Sequence, residues 1–158
     1  VCSSDLRTSI EFDAKKLDRR LDKLLREMPA AVDKALIQTS QFGTNLILDR
    51  TERGVGYEGK FKPYTPEYVK RKGQGWSSTN RTRGFGGAPT SPVNLMLRGE
   101  MLGAMASKKV KTGVARIYFT RSTEAKKAAF NNKTRPFFGF NVSEQNKLRN
   151  FFANRFKL

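Results

Sequence analysis

Residues 29–53 of the chain decide its fold, and they read PAAVDKALIQTSQFGTNLILDRTER. Apolar and small side chains recur there at spacings of three and four, which is the period of an amphipathic α-helix. Gly54 predicts the end of the helix, because glycine readily adopts the left-handed conformation that ends many helices. One helix face is therefore expected to lie in the core, and it comprises Val32, Ala35, Leu36, Thr39, Phe42, Gly43, Leu46 and Ile47.

A second amphipathic segment precedes this helix. Leu17, Leu21, Leu24 and Met28 recur at spacings of four, three and four, so they form one apolar face of a helix. The charged residues around them alternate in sign, as on a solvated helix face. Pro29 either kinks this helix or opens the next one, since proline lacks the N–H that a helix interior needs.

The remaining sequence predicts shorter elements joined by turns. Alternation of apolar and polar residues predicts a strand over residues 8–12, ahead of the helices. Downstream, we expect a helix from Pro66 through Lys72 capped by Thr65, then a long loop over residues 73–92 and a helix from Asn94 to Ala106. A hairpin of Lys108–Thr112 and Val114–Thr120 should follow around Gly113. The last elements expected are a helix from Glu124 to Phe130, capped by Ser122 or Thr123 and ended by Asn131 and Asn132, a strand from Pro136 to Phe140, and a helix from Ser143.

These elements together predict an α+β fold, with long N-terminal helices packed on a small, mainly antiparallel sheet and a C-terminal helix. Residues 7–158 are expected to form a single domain. In the second hairpin strand, side chains alternate between faces. We expect Ala115, Ile117 and Phe119 to point one way, and Arg116 and Tyr118 the other.

The composition excludes several kinds of site. The 158 residues contain no histidine and a single cysteine, Cys2, which excludes zinc sites built from these residues, Ser-His-Asp triads, Cys-His dyads and internal disulfides. Residues Val1–Leu6 resemble the translation of a common sequencing adapter, so we expect them to be an assembly scar rather than part of the domain. No stretch approaches the roughly 20 apolar residues of a membrane span, and we expect no membrane contact.

The charge is unevenly distributed along the chain. The 158 residues include 31 Lys and Arg against 14 Asp and Glu, for a net charge of +17. Residues 1–58 contain ten basic and ten acidic side chains, whereas residues 59–158 contain 21 basic and four acidic ones. A field of one sign on this scale attracts polyanions and repels copies of the same chain. The second half therefore binds nucleic acid or an acidic protein, or it simply forms a solvated surface.

Cations alternate with aromatic rings in part of the basic half. Such a pattern suits nucleic acid, because the cations bind phosphates and the rings stack on bases. The alternative is that Tyr64 and Tyr68 pack inward while the lysines are merely solvated. The candidate anion-contact residues are Lys70, Arg71, Lys72, Arg81, Arg83, Lys108, Lys109 and Lys111, with Trp76 and Phe85 as further rings.

Two short motifs suggest other chemistry. Gly54, Gly56 and Gly59 match a dinucleotide-binding string, but a helix precedes them where that motif requires a strand. Asp49 with Glu58 and Lys60 imitates the carboxylate-and-lysine set of a metal-dependent nuclease. Because Asp49 is predicted on a helix and Glu58 in a glycine-rich turn, a nuclease is the less favoured hypothesis.

Three segments, taken in order, resemble a known family. They are GYEGKFKPYTPEYVKRK at residues 56–72, VNLMLRGEMLGAM at residues 93–105 and RPFFGF at residues 135–140, the last followed by a terminal helix. This order is similar to that of the small virion-morphogenesis proteins of tailed phages, the neck, tail-completion and tail-terminator proteins that join head to tail.

The resemblance implies a non-enzymatic structural protein of the head–tail connector that forms a homo-oligomeric ring. It implies no cofactor and no metal, with neighbouring connector and tail proteins as partners and possible contact with packaged DNA. The place implied is the head–tail interface of the virion, after assembly in the host cytoplasm. The residues expected to be structural are Gly59, Pro63, Pro66, Gly99, Arg135, Pro136, Phe137, Phe138 and Gly139. A basic nucleic-acid-binding protein is the alternative.

Overall fold

A computed structural model describes residues 14–75 and 87–156. The fold is α+β, as predicted. The elements are helix α1 (Ala14–Glu52), helix α2 (Pro66–Gln74), helix α3 (Glu100–Gly103), strands β1 (Met105–Lys111) and β2 (Val114–Phe119), helix α4 (Ser122–Thr134) and helix α5 (Val142–Arg155). The predicted strand over residues 8–12, the adapter-like residues 1–6 and residues 76–86 of the predicted loop lie outside the described residues.

Helix α1 is one continuous helix of 39 residues with Pro29 inside it, so the two helices expected from the sequence are joined. Proline at position 29 removes the hydrogen bond that the carbonyl of Leu25 would accept. Residues 18–30 are all exposed, so water can satisfy that carbonyl. At its other end α1 stops as predicted, and Gly54 adopts a left-handed conformation with a φ of 76°.

Helix α2 begins as the sequence predicts. The side chain of Thr65 accepts a hydrogen bond from the backbone N–H of Tyr68, and Pro66 occupies the first turn. This arrangement satisfies one of the free N–H groups at the helix start. The helix extends two residues beyond the predicted end, to Gln74.

The helix predicted from Asn94 to Ala106 is wrong. Only Glu100–Gly103 is helical, and β1 begins at Met105. Leu95 and Gly99 have positive φ angles of 55° and 73°, which an α-helix does not accommodate. The Leu95 N–H donates to the Tyr64 hydroxyl at 3.0 Å rather than to a helical carbonyl. Met101 and Leu102 remain buried, so these two apolar residues lie in the core although the helix that carries them has only four residues.

The predicted hairpin is confirmed. Strands β1 and β2 pair antiparallel, with Ser107 opposite Ile117 and Lys108 opposite Arg116. Gly113 forms the turn with a φ of 74°. Ile117 and Phe119 pack against the core while Arg116 is exposed, which agrees with the predicted alternation of faces.

Two predictions around residues 121–140 are wrong in detail. Helix α4 continues through Asn131 and Asn132 to Thr134, and its N-cap is Arg121 rather than Ser122 or Thr123. Residues 136–140 form no strand, and most of their paired backbone groups bond to side chains instead of to a neighbouring strand. The side-chain oxygen of Asn132 accepts hydrogen bonds from the N–H groups of Phe137 at 2.9 Å and Phe138 at 2.8 Å.

Helix α5 begins with a capping box formed by Asn141 and Glu144, one residue before the predicted start. Phe151 on this helix stacks on Phe42 of α1, with ring centroids 4.5 Å apart. The core lies between the second half of α1, the hairpin and the segments around α3 and α4. Its buried members are Ile47, Phe61, Met101, Leu102, Met105, Ala128 and Phe137.

Candidate functional site

A buried arginine binds the RPFFGF segment at residues 135–140, which we call the motif. Arg50, near the end of α1, forms an ion pair with Glu144 and donates to the carbonyls of Phe137 at 2.6 Å and Gly139 at 3.0 Å. Its planar guanidinium carries several N–H donors, so it can bind three acceptors at once, here one carboxylate and two backbone carbonyls. Arg50 thereby joins α1, residues 137–139 and α5.

Arg50 was not singled out from the sequence, although a signal was present. It lies four residues after Leu46 and three after Ile47, on the apolar face of α1. A cation at such a position predicts a buried partner, because an unpaired charge in the core is strongly unfavourable. Glu144 was predicted only as the acidic residue of the first turn of α5.

Arg135 joins the motif to the segment before α2. Its Nε donates to the carbonyl of Lys62 at 3.0 Å, and its Nη2 donates to the carbonyl of Pro63 at 3.0 Å. The guanidinium also lies over the Tyr64 ring, 5.0 Å from the centroid. Arg135 therefore holds two distant parts of the chain together.

The motif residues Pro136 to Gly139 pack closely on residues 56–57. The carbonyl of Pro136 accepts from the Tyr57 N–H at 3.0 Å. A Cβ atom at Gly139 would lie 2.8 Å from the Tyr57 ring, and one at Gly56 would lie 2.1 Å from the Pro136 oxygen. Phe137 is completely buried. Phe138 packs against the core, and its ring centroid lies 5.2 Å from that of Phe119.

The other predicted structural residues lie at turns and helix starts. Pro66 opens α2, and the Pro63 carbonyl bonds to Arg135. Gly99 is the N-cap of α3 with a φ of 73°, and Gly59 has a φ of 139° in the turn before Phe61. Glycine suits both positions because side chains disfavour positive φ.

The structure removes Lys72 from the candidate anion contacts. Its side chain is 1% exposed, its Nζ donates to the side-chain oxygen of Asn94 at 2.9 Å, and the ammonium lies 4.8 Å from the Tyr64 centroid. Burial lowers the pKa of Lys72. The helical face of α2 that carries Lys72 therefore packs inward, which the alternation of cations and rings did not reveal.

The remaining candidates lie in separate places. Lys70 and Arg71 are exposed on α2, while Lys108, Lys109 and Lys111 lie on β1. Arg81 and Arg83, with Trp76 and Phe85, lie outside the described residues.

The outward face of the hairpin is one of these places and carries two cations. We call it the hairpin face, and it comprises Lys108, Arg116 and Tyr118. Lys108 and Arg116 are directly opposite each other across the two strands, and both are exposed. Neither forms an ion pair with another described residue. Like charges opposite each other destabilise a strand pair, so this face favours an anion.

An aromatic ring accompanies these two cations. The Nζ of Lys108 lies 4.5 Å from the Tyr118 ring centroid. On the other side of the hairpin, Lys109 pairs with Asp33 of α1, and Asp33 also accepts from the Gly113 N–H at 2.8 Å. The hydrogen bond from Lys109 lowers the pKa of Asp33. Lys109 is thus engaged in holding the hairpin on α1, which leaves the hairpin face directed outward.

An open cleft of about 580 Å³ lies beside α2 and α4. Tyr64, Tyr68 and Phe130 line it with Arg135, and the two tyrosine rings are 4.8 Å apart. Burial raises the pKa of both tyrosines. The alternative interpretation expected both tyrosines to pack inward. Tyr64 is half-buried but Tyr68 is exposed, so it holds only for Tyr64. Phe130 is 72% exposed at the cleft.

The nuclease candidates Asp49, Glu58 and Lys60 are all exposed. Among the described residues, no group of three or more Cys, Asp or Glu side chains could hold a metal ion. None of the described helices is both long and apolar enough to cross a membrane.

Comparison with known proteins gives no relative. No family model, no curated protein and no solved structure matches this chain.

Proposed function

We propose that this chain is a structural subunit of a tailed-phage head–tail connector that acts in tail completion or joining as a homo-oligomeric ring. The observation that carries the proposal is that residues of the motif bind other parts of the same chain. Arg135, Phe137 and Gly139 bind other parts of the same chain, through Lys62, Pro63, Asn132 and Arg50. The motif therefore builds a scaffold, as the resemblance to virion-morphogenesis proteins implies, and the role assigned to the protein is not catalytic.

The second support is the position of exposed positive charge. Lys108 and Arg116 face outward on a hairpin whose other side is packed on α1 and paired through Lys109 and Asp33. A rigid basic face of this kind suits the phosphates of passing DNA or an acidic neighbour in the connector. In a virion, such a contact would lie at the head–tail interface.

Binding to double-stranded DNA over a salt series tests the role of the hairpin face. The double variant Lys108→Gln, Arg116→Gln is compared with Lys126→Gln, Lys133→Gln, which removes two exposed cations from α4. Each phosphate contact contributes about 0.9 to the slope of log K against log salt. We expect the hairpin variant to reduce the magnitude of that slope by about two, and the α4 variant to leave it nearly unchanged. Equal effects of the two variants would contradict a specific role for the hairpin.

The same face also supports the alternative of a free nucleic-acid-binding protein. The two functions differ in assembly. A connector subunit forms closed rings, whereas the alternative expects a monomer whose DNA affinity falls steeply as salt rises. Salt-dependent binding with no ring would favour the alternative.

A further inference from the structure

Strand β2 has one edge without a strand partner in the described ranges 14–75 and 87–156. The sheet contains two strands there, and β2 pairs only with β1. The N–H and C=O groups along such an edge point away from the sheet and form a template for one further strand. The outer edge of β1 is equally unpaired among these residues, so a second feature must distinguish the two edges.

An apolar groove of about 430 Å³ lies beside β2. We call it the β2 groove, and its lining includes three successive residues of the strand, Ala115, Arg116 and Ile117. Successive side chains of a strand point to opposite faces, so a groove that contacts all three lies at the edge of the strand. Phe140 and Leu148 line it as well, whereas β1, which is described throughout, contributes no residue. The groove therefore distinguishes the edge of β2 from that of β1.

The chain contains a segment that fits this place. Residues 8–13 read TSIEFD, and we call them the donor segment, which lies outside the described residues. Their alternation predicts a strand with Thr8, Ile10 and Phe12 on one face. In a strand added to the edge of β2, that face lies over the β2 groove, and Glu11 lies on the outward side with the hairpin face.

Charge also favours the donor segment as the occupant. It contains two acidic side chains and no basic one. Lys108 and Arg116 on the hairpin face form no ion pair with another described residue. Opposite charges on neighbouring strands stabilise their pairing, so Glu11 beside these cations strengthens the contact. The donor segment is thus an acidic neighbour of the kind that suits the hairpin face.

The donor segment cannot reach the β2 groove of its own chain. Helix α1 is continuous from Ala14, and the hairpin turn lies level with Asp33, whose carboxylate accepts from the Gly113 N–H at 2.8 Å. Along the helix, Asp33 is roughly 28 Å from Ala14 at 1.5 Å per residue. The chain from Thr8 to Ala14 spans at most roughly 22 Å when fully extended. A second copy must therefore provide the groove.

We propose that the donor segment of one copy adds a strand to β2 of the next copy, with Ile10 and Phe12 in the β2 groove. Residues 18–30 of α1 are all exposed, so this part of the helix is an arm that carries the segment to its neighbour. Segment and groove are different surfaces, so the contact is heterologous, and its repetition produces a ring when the rotation closes. This inference rests on the proposed ring and names the contact that builds it.

A labelled peptide tests the contact without requiring a ring. The segment variant Ile10→Gln, Phe12→Gln retains the β2 groove, so it is titrated into a fluorescent peptide of residues 7–14 with blocked termini, and fluorescence anisotropy gives the Kd. We expect a peptide with the same two substitutions to bind at least about tenfold more weakly, because each removes a large apolar side chain from a buried position. A peptide with Arg7→Gln and Ser9→Gln, on the other face, is the control and should bind as the wild-type peptide does.

Substitutions in the groove test where the peptide binds. In the segment variant, Ser40→Glu adds an acidic side chain within the groove, and Gln41→Glu adds one on the exposed side of α1. Among the described residues, the Ser40 hydroxyl bonds only to the Ile37 carbonyl of its own helix, at 2.9 Å, so little of the fold depends on it. We expect Ser40→Glu to weaken peptide binding at least about tenfold and Gln41→Glu to leave it unchanged. Thr39→Glu is the second groove variant if Ser40→Glu does not fold.

N-methylated peptides test whether the segment binds as a strand. The N–H groups of successive residues in a strand point to opposite sides, so only one of Ile10 and Glu11 donates to β2. Methylation of that N–H should abolish binding, while methylation of the other should be tolerated. Equal losses at the two positions would contradict strand pairing.

Light scattering after size-exclusion chromatography gives the mass of each assembly. The segment variant, and a groove variant that keeps the wild-type segment, should each fall to the 17.9 kDa of one chain. Each retains the surface that the other lacks. An equimolar mixture should therefore form one contact and reach twice the chain mass.

The outcomes separate this inference from the proposed function. Rings that persist in both variants, or a peptide that binds Ser40→Glu as tightly as Gln41→Glu, would overturn the inference and leave the proposed ring standing. A pair in the mixture, together with wild-type protein that forms only open chains, would support the contact and contradict the ring. Wild-type protein that stays a single chain would contradict both.

Discussion

Arg50 and Glu144 form a buried ion pair that connects the last turn of α1 with the first turn of α5. The same arginine bonds to the carbonyls of Phe137 and Gly139, and the same carboxylate accepts from the Asn141 N–H at 3.0 Å. The motif at residues 135–140 is thus held by an arginine 87 residues before Phe137, which is itself paired with a carboxylate close after the motif.

The first prediction concerns this pair. Arg50→Met should lower the free energy of unfolding by about 3–5 kcal/mol, because it leaves the Glu144 charge buried without its partner. Urea denaturation followed by circular dichroism measures the loss. Arg53→Met, on an exposed residue of the next turn, is the control and should change stability by less than about 0.5 kcal/mol. A loss below about 1 kcal/mol in the Arg50 variant would show that the pair does not organise the motif.

A second prediction concerns the close approach of Gly56 to Pro136. Gly56→Ala should destabilise the protein by about 1–3 kcal/mol, because its Cβ would lie 2.1 Å from a backbone oxygen that cannot easily move. Gly103→Ala is the matched control, since a Cβ there meets no heavy atom within 4 Å. Thermal or urea unfolding of both variants gives the comparison. Equal stability of the two would mean that the segments are not packed as described.

The third prediction tests whether Arg135 stabilises the fold or binds an anion. Arg135→Gln removes the hydrogen bonds to the Lys62 and Pro63 carbonyls and should cost about 1–3 kcal/mol of stability. The salt slope of DNA binding should stay as in the wild type, because the guanidinium is engaged with its own chain. Both quantities are measured on one preparation. A reduced slope with unchanged stability would reassign Arg135 to the anion-binding surface.

The fourth prediction concerns pH and follows from the buried Lys72. Burial lowers its pKa in the folded protein, so between that value and the ordinary 10.5 the unfolded chain binds more protons than the folded one. Stability therefore rises with pH in this window. Urea denaturation at a series of alkaline pH values up to 10.5 should show the rise in wild-type protein and a flatter profile in Lys72→Met. Profiles of equal slope would contradict an effect of Lys72 burial.

Local signals in the sequence were sufficient for some elements and insufficient for others. The apolar face of α1, the Thr65–Pro66 start of α2 and the turn at Gly113 depend on neighbouring residues, and the sequence predicts each of them. The error at residues 94–99 has a nonlocal cause, because Tyr64 bonds to Leu95 across 31 positions.

The candidate site likewise contains features that the sequence predicts and features that it does not. The charge of Lys108 and the alternation of β2 could be predicted, since both follow from sequence position. The burial of Lys72 and the pairing of Arg50 with Glu144 could not, because each depends on segments 22 and 94 residues away. The prediction that Asn131 and Asn132 end α4 is wrong for a more local reason, because the side chain of Asn132 binds Phe137 and Phe138, five and six residues later, in the irregular segment after α4.

Imaging of the purified protein by negative-stain electron microscopy tests the central claim most directly. The proposed function predicts closed rings of one size, with an open centre and cyclic symmetry in the class averages. Particles of a single chain at every concentration, with no ring in the presence or absence of DNA, would contradict it.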